Sequence, residues 1–104
     1  MSNILKNLFG LGQKADLGEL IMNGAIIIDV RTPGEYASGH IKNSVNIPLN
    51  ILPSRLAKLK KDKPVITCCA SGMRSGTARN MLIANGFEQV HNGGSWYNLR
   101  KYEK

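Results

Sequence analysis

The chain has 104 residues, 42% of them hydrophobic and 20% charged, which suits one domain with a packed core and excludes a disordered chain. Fourteen Lys and Arg against seven Asp and Glu give a formal charge of +7, a balance that fits an anionic partner or a solvated basic surface. No run approaches the roughly 18–20 apolar residues of an integral membrane segment.

Cys68 and Cys69 are the only cysteines and they are adjacent. Neighbouring Cα atoms lie about 3.8 Å apart, below the usual range for a disulfide, so no disulfide framework exists. Two cysteines and two distant histidines give no metal-ligand spacing. The pair points to a reducing compartment, the cytoplasm, or to chemistry at one thiol.

Residues 1–14 read as an N-terminal leader to a domain of residues 15–104. Ile4, Leu5, Leu8, Phe9 and Leu11 cluster there, but the cluster is too short and too weakly flanked for a signal peptide. It reads as an amphipathic segment that packs on the domain or frays, with weak surface binding as the alternative. Asp16 is placed to cap a short helix that Asn23-Gly24 ends. The apolar run from Ala25 to Ile28 reads as a buried strand ending in Asp29-Val30-Arg31. Thr32, Pro33 and Glu35 form a helix start, with Glu35 three residues after the cap. Val45-Asn46-Ile47 reads as a brief strand closed by Pro48. Leu52, Leu56 and Leu59 then recur at helical spacing.

Pro64 introduces a second buried strand, Val65 to Cys68. A loop from Cys69 to Arg74 leads to a helix of about Ser75 to Asn85, with Gly86 as its terminating glycine. Gln89-Val90-His91 reads as a core strand, Asn92-Gly93-Gly94 as a turn, and Ser95 as the cap of a last helix carrying Trp96, Leu99 and Tyr102. Strands alternating with helices imply an α/β domain of three layers with a mainly parallel sheet. Ligands in such sheets sit at the carboxyl ends of the strands, where Asp29, Arg31 and Cys69 fall.

The loop Cys69-Ala70-Ser71-Gly72-Met73-Arg74-Ser75 joins a buried strand to a helix start. Such a turn directs backbone N–H groups to one point, and the helix end adds partial positive charge. Gly72 permits unusual backbone angles, and Arg74 offers a planar fork for an oxyanion. A cysteine at the mouth of this nest is expected to be acidified, to a pKa of roughly 3.5–7.5.

This loop resembles the active-site loop of single-domain rhodaneses. Ile28-Asp29-Val30-Arg31 with Glu35-Tyr36, Gly39-His40-Ile41, Asn46-Ile47-Pro48, Gly86-Phe87, Val90 and Gly93-Gly94 resemble further segments of that family, in its order. The resemblance implies a rhodanese-like fold with about five short strands and helices on both faces. It implies a thiosulfate or persulfide sulfurtransferase with Cys69 as nucleophile. The donor is then a small anion such as thiosulfate, the acceptor is cyanide, a thiol or a sulfur-acceptor protein, and neither metal nor organic cofactor is needed. Ala70, Ser71, Gly72, Met73, Arg74 and Ser75 would bind the persulfide and donor, with Arg31 as a further anion contact.

Alternatives are weaker. Phosphatases sharing the fold resemble this loop but place one more residue between Cys and Arg, where four intervene here. A dedicated sulfur carrier uses the same cysteine. Nucleic-acid binding lacks interleaved aromatics and a recognition motif. Asp29, His40 and His91 read as structural, Arg31 as either structural or an anion contact, Cys68 as pointing into the core, and Trp96 as a packing residue. Ala70 departs from the family pattern, in which a basic residue often follows the cysteine. Trp96 also follows the double glycine sooner than the family's aromatic does.

Overall fold

The computed structural model describes residues 16–103; the leader of residues 1–14 lies outside them. Strands β1 (Ile26–Asp29), β2 (Val45–Asn46), β3 (Val65–Cys69) and β4 (Val90–Ser95) form one sheet in the order β2-β1-β3-β4, with every neighbouring pair parallel. The described residues thus hold four strands, not about five. Each of the four strand segments read from the sequence gives one strand, with the short β2 at one edge of the sheet. The fourth strand is longer than its apolar core suggested. It runs through Asn92-Gly93-Gly94, read from sequence as a turn, because parallel pairing to β3 carries the glycines on to Ser95.

The helices are α1 (Leu17–Met22), α2 (Pro33–Ala37), α3 (Leu52–Arg55) and α4 (Met73–Ala84), and a 3₁₀ helix spans Trp96–Tyr102. Local chemistry sets their ends. Asp16 accepts from the Glu19 amide to cap α1. At α2, Thr32 Oγ1 accepts from Glu35 N at 3.2 Å while Glu35 Oε1 accepts from Thr32 N at 2.9 Å, a complete capping box. Helix α4 ends as expected at a left-handed Gly86, with Gly86 N on Ile83 O and Phe87 N on Leu82 O. The segment carrying Leu52, Leu56 and Leu59 is not one helix. One α-turn lies between two 3₁₀ turns, Leu49–Ile51 and Leu56–Lys58, although the same leucines still face the core.

Side chains alternate across the sheet, as strand geometry requires. Ile28, Val30, Val65, Cys69 and Val90 face one core with Leu52, Ala78 and Leu82. Ile27, Ile66 and Cys68 face the other, with Leu99, Ile41 and the apolar side of α1. Cys68 and Cys69 therefore lie on opposite faces. Among the described residues no helix is long and apolar enough to cross a membrane.

Candidate active site

Three strand ends meet on one edge of the sheet: Asp29 of β1, Cys69 of β3 and Ser95 of β4, with Cys69 in register with Ser95. Beyond Cys69 the chain turns through residues 70–72 into α4. The first turn of any helix has N–H groups without intrahelical partners. The cap position here is Gly72, which has no side chain to offer. Cys69 supplies what the glycine lacks. Its Sγ accepts from Gly72 N at 3.0 Å and from Ser75 N, in the first helical turn, at 3.3 Å. The sulfur so caps a 12-residue helix and sits at its positive end. Gly72 has φ +104°, and a Cβ there would stand 3.4 Å from Gly94 Cα, so glycine answers both the turn and the approach of β4.

These contacts set the ionisation of the two thiols apart. At Cys69, burial pushes the pKa up and the amides of Ser75, Gly72 and Ser71 push it down, and the net direction is down; the Ser75 hydroxyl, whose proton goes to Asn92, lies 3.4 Å from the sulfur. At Cys68, burial first and the Asp29 carboxylate second push it far up, so that thiol stays protonated.

The sulfur is deeper than its sequence context suggested. Cys69 has 0% of its surface exposed, so it lies on the floor of the nest instead of at its mouth. The amides that stabilise its charge also cover it. Around it, Ala70, Ser71 and Met73 are exposed, Gly72 and Arg74 are half-buried, and Ser75 is buried. Met73 is 81% exposed and leaves an apolar side chain on the rim.

The two arginines expected to meet an anion both have carboxylate partners. Arg74 donates from Nη1 to Glu35 Oε1 at 2.7 Å and from Nη2 to Glu35 Oε2 at 3.0 Å. The Arg74 guanidinium, with the Thr32 amide, holds the Glu35 carboxyl at about 2. Arg31 is buried. Its Nε bridges both Asp29 oxygens at 2.9 and 3.0 Å, Nη2 reaches Asp29 Oδ2 and Gly39 O at 2.7 Å each, and Nη1 reaches Glu35 O at 3.3 Å. The indole of Trp96 lies 4.6 Å away. Four of the five N–H groups of Arg31 are thus engaged, which leaves little for a donor anion. The surroundings fit a structural role.

Two residues of the site were not singled out from sequence. Glu35 carried a local signal, its place in the capping box, but nothing marked its pairing with Arg74 far along the chain. Asn92 read only as a turn residue. Its Oδ1 accepts from Ser75 Oγ at 2.6 Å and its Nδ2 donates to Gly72 O at 3.1 Å. His40 stacks on Tyr36 with ring centroids 3.8 Å apart and contacts Tyr36 O through Nδ1, away from any described role at the sulfur.

A family profile described as the rhodanese-like domain matches residues 13–98. The chain belongs to the rhodanese-like domain family. The rhodanese-like chain is 43% identical over 68 residues to an uncharacterized protein, YqhL, of Bacillus subtilis, covering 65% of this chain and 54% of that one. It is 37% identical over 68 residues to the thiosulfate sulfurtransferase GlpE of Stutzerimonas stutzeri, covering 65% of this chain and 62% of the relative. The chain thus spans between half and two thirds of these curated relatives. A solved human single-domain sulfurtransferase superposes with a TM-score of 0.75 at 26% identity, covering 86% of this chain and 93% of that one. The rhodanese-like fold is therefore shared along nearly the whole of that neighbour.

Proposed function

We propose that this rhodanese-like domain is a sulfurtransferase in which Cys69 carries sulfane sulfur as a persulfide. The reading rests on one observation above all: the Cys69 sulfur accepts two backbone N–H groups at the start of a long helix. Amide donors aimed at an anion in a site shielded from water stabilise it without reorganisation. The thiosulfate sulfurtransferase named among the relatives supports the same chemistry.

The thiolate of Cys69 attacks the outer sulfur of thiosulfate or of a persulfide donor. The new S–S bond forms as the donor's S–S bond breaks, and with thiosulfate the bonding pair leaves on sulfite. The Cys69 persulfide anion stays on the amides of the loop. An acceptor such as cyanide or a thiolate then attacks the outer sulfur, and the pair returns to Cys69. Two half-reactions of this kind give ping-pong kinetics. Half-buried Arg74 keeps three N–H groups beyond the two given to Glu35 and is the natural contact for the leaving anion. Because Cys69 has no exposed surface, transfer requires the covering loop to open or the side chain to swing outward.

Intact mass spectrometry after incubation with thiosulfate tests this reading. A gain of one sulfur atom that Cys69→Ser abolishes is the expected result. No adduct, or an adduct that persists in Cys69→Ser, overturns it.

A further inference from the structure

Two of the residues whose amides act on the Cys69 sulfur, Gly72 and Ser75, are gripped by Asn92 from another strand. Gly72 N and Ser75 N donate to Sγ. Asn92 Nδ2 donates to Gly72 O at 3.1 Å, and Asn92 Oδ1 accepts the Ser75 hydroxyl at 2.6 Å. The side chain is itself anchored, because the same Oδ1 accepts from Gly94 N at 2.9 Å. Both lone pairs of that oxygen are in use.

The surrounding glycines fit this arrangement. Gly76 lies in the first turns of α4, where glycine costs about 1 kcal/mol relative to alanine. A Cβ at Gly76 would stand 3.2 Å from Asn92 Nδ2, so the glycine leaves room for the amide. At Gly93 a Cβ would meet Ile66 Cγ2 at 2.8 Å and Thr67 O at 3.0 Å, which holds β4 close against β3. The β3–β4 pairing shifts register between Thr67 and Cys69, beside the catalytic loop. Gly72, at φ +104°, has no side chain to fix its own peptide plane. Gly72 O accepts the Gly76 amide at 3.0 Å, the first bond of α4, and Asn92 adds a second hold on the same oxygen from β4.

We propose that Asn92 is a positioning residue that holds the Gly72 and Ser75 amides on the Cys69 sulfur. It acts through the loop and does not touch the sulfur's reaction partners. The inference rests on the reading of Cys69 as the reactive thiolate. It adds that the cradle is set from β4 and not by the loop alone.

The test is the pH dependence of Cys69 alkylation by iodoacetamide in a Cys68→Ala protein, with and without Asn92→Ala or the smaller change Asn92→Ser. Arg74, the charged side chain coupled to the sulfur, stays in place in every variant. Loss of the brace raises the midpoint by about one pH unit, equivalent to about tenfold less thiolate at a pH below both midpoints. Ser75 has one hydroxyl proton, now given to Asn92, and freeing it toward the sulfur opposes this shift. Each variant is therefore also compared in a Ser75→Ala background, where that opposition is gone. A raised midpoint in either background, in protein still folded by circular dichroism, supports the inference. Midpoints unmoved or lowered in both backgrounds overturn it while leaving an acidified Cys69 intact. An ordinary thiol midpoint in the parent overturns the thiolate reading and this inference with it.

Discussion

Arg74 closes on Glu35 through two parallel bonds, Nη1 to Oε1 at 2.7 Å and Nη2 to Oε2 at 3.0 Å, joining the loop after Cys69 to the start of α2. One carboxylate so serves two elements, since it also completes the α2 capping box with Thr32. Both partners are more than a third exposed, at 36% and 38%, so solvent screens the pair.

The pair has a defined pH window. Arg74 first, and the Thr32 amide second, hold Glu35 at about 2 against an ordinary 4.5. A depressed carboxyl stabilises the fold fully above its ordinary value and loses that contribution as pH falls toward about 2. Glu35→Gln keeps a capping-box residue but loses the charge. Near neutrality it is expected to cost up to about 1 kcal/mol. Melting curves of wild type and Glu35→Gln should differ near neutral pH and converge through the acid window. A gap that stays constant would mean that the charge contributes nothing.

The Asp29–Arg31 pair is of another kind. Its side chains are 0% and 4% exposed, and the carboxylate takes both the Arg31 amide and the guanidinium. Removing one partner strands the other charge in the core. Asp29→Ala is expected to destabilise the domain by about 3–5 kcal/mol. Urea unfolding gives the figure, and a loss under about 1 kcal/mol would show that Arg31 finds water or a new partner.

The neighbouring cysteines should behave oppositely. Cys68 packs among Ile27, Ile66 and Leu99, and burial keeps its thiol protonated. Cys68→Ala is expected to retain most sulfur transfer, whereas Cys69→Ser abolishes it. Thiocyanate formation from thiosulfate and cyanide measures both. Equal loss in the two folded variants would contradict the assignment.

Burial of Cys69 predicts that its reactivity depends on opening. A small alkylating agent and a bulky aromatic disulfide, each normalised to its rate with free cysteine, should diverge. An opening step costing about 1.4 kcal/mol more for the larger reagent slows it about tenfold. Equal normalised rates would show that the sulfur is freely reached.

Strands β1 and β3 were legible because each is a β-branched run that ends in a charged or reactive residue, Ile26–Asp29 and Val65–Cys69, whereas the glycine half of β4 was not. The caps at Thr32 and Gly86 were legible because they follow from chemistry within a few residues. What escaped was contact between distant segments. The Glu35–Arg74 and Ser75–Asn92 bonds depend on which strand ends the sheet brings together. The depth of Cys69 escaped for a related reason, because the loop sequence specifies amide donors but not how closely β4 presses Gly94 against Gly72. Arg31 looked available at a strand end, yet Asp29 two residues earlier claims it.

Ultraviolet titration of the Cys69 thiolate, taken as the difference between wild type and Cys69→Ser, bears most directly on the role of the amide cradle. A midpoint well below the roughly 8.5 of a free thiol is the expected result. A midpoint at or above that value in the folded protein would mean that burial outweighs the amides and that Cys69 is not the sulfur carrier.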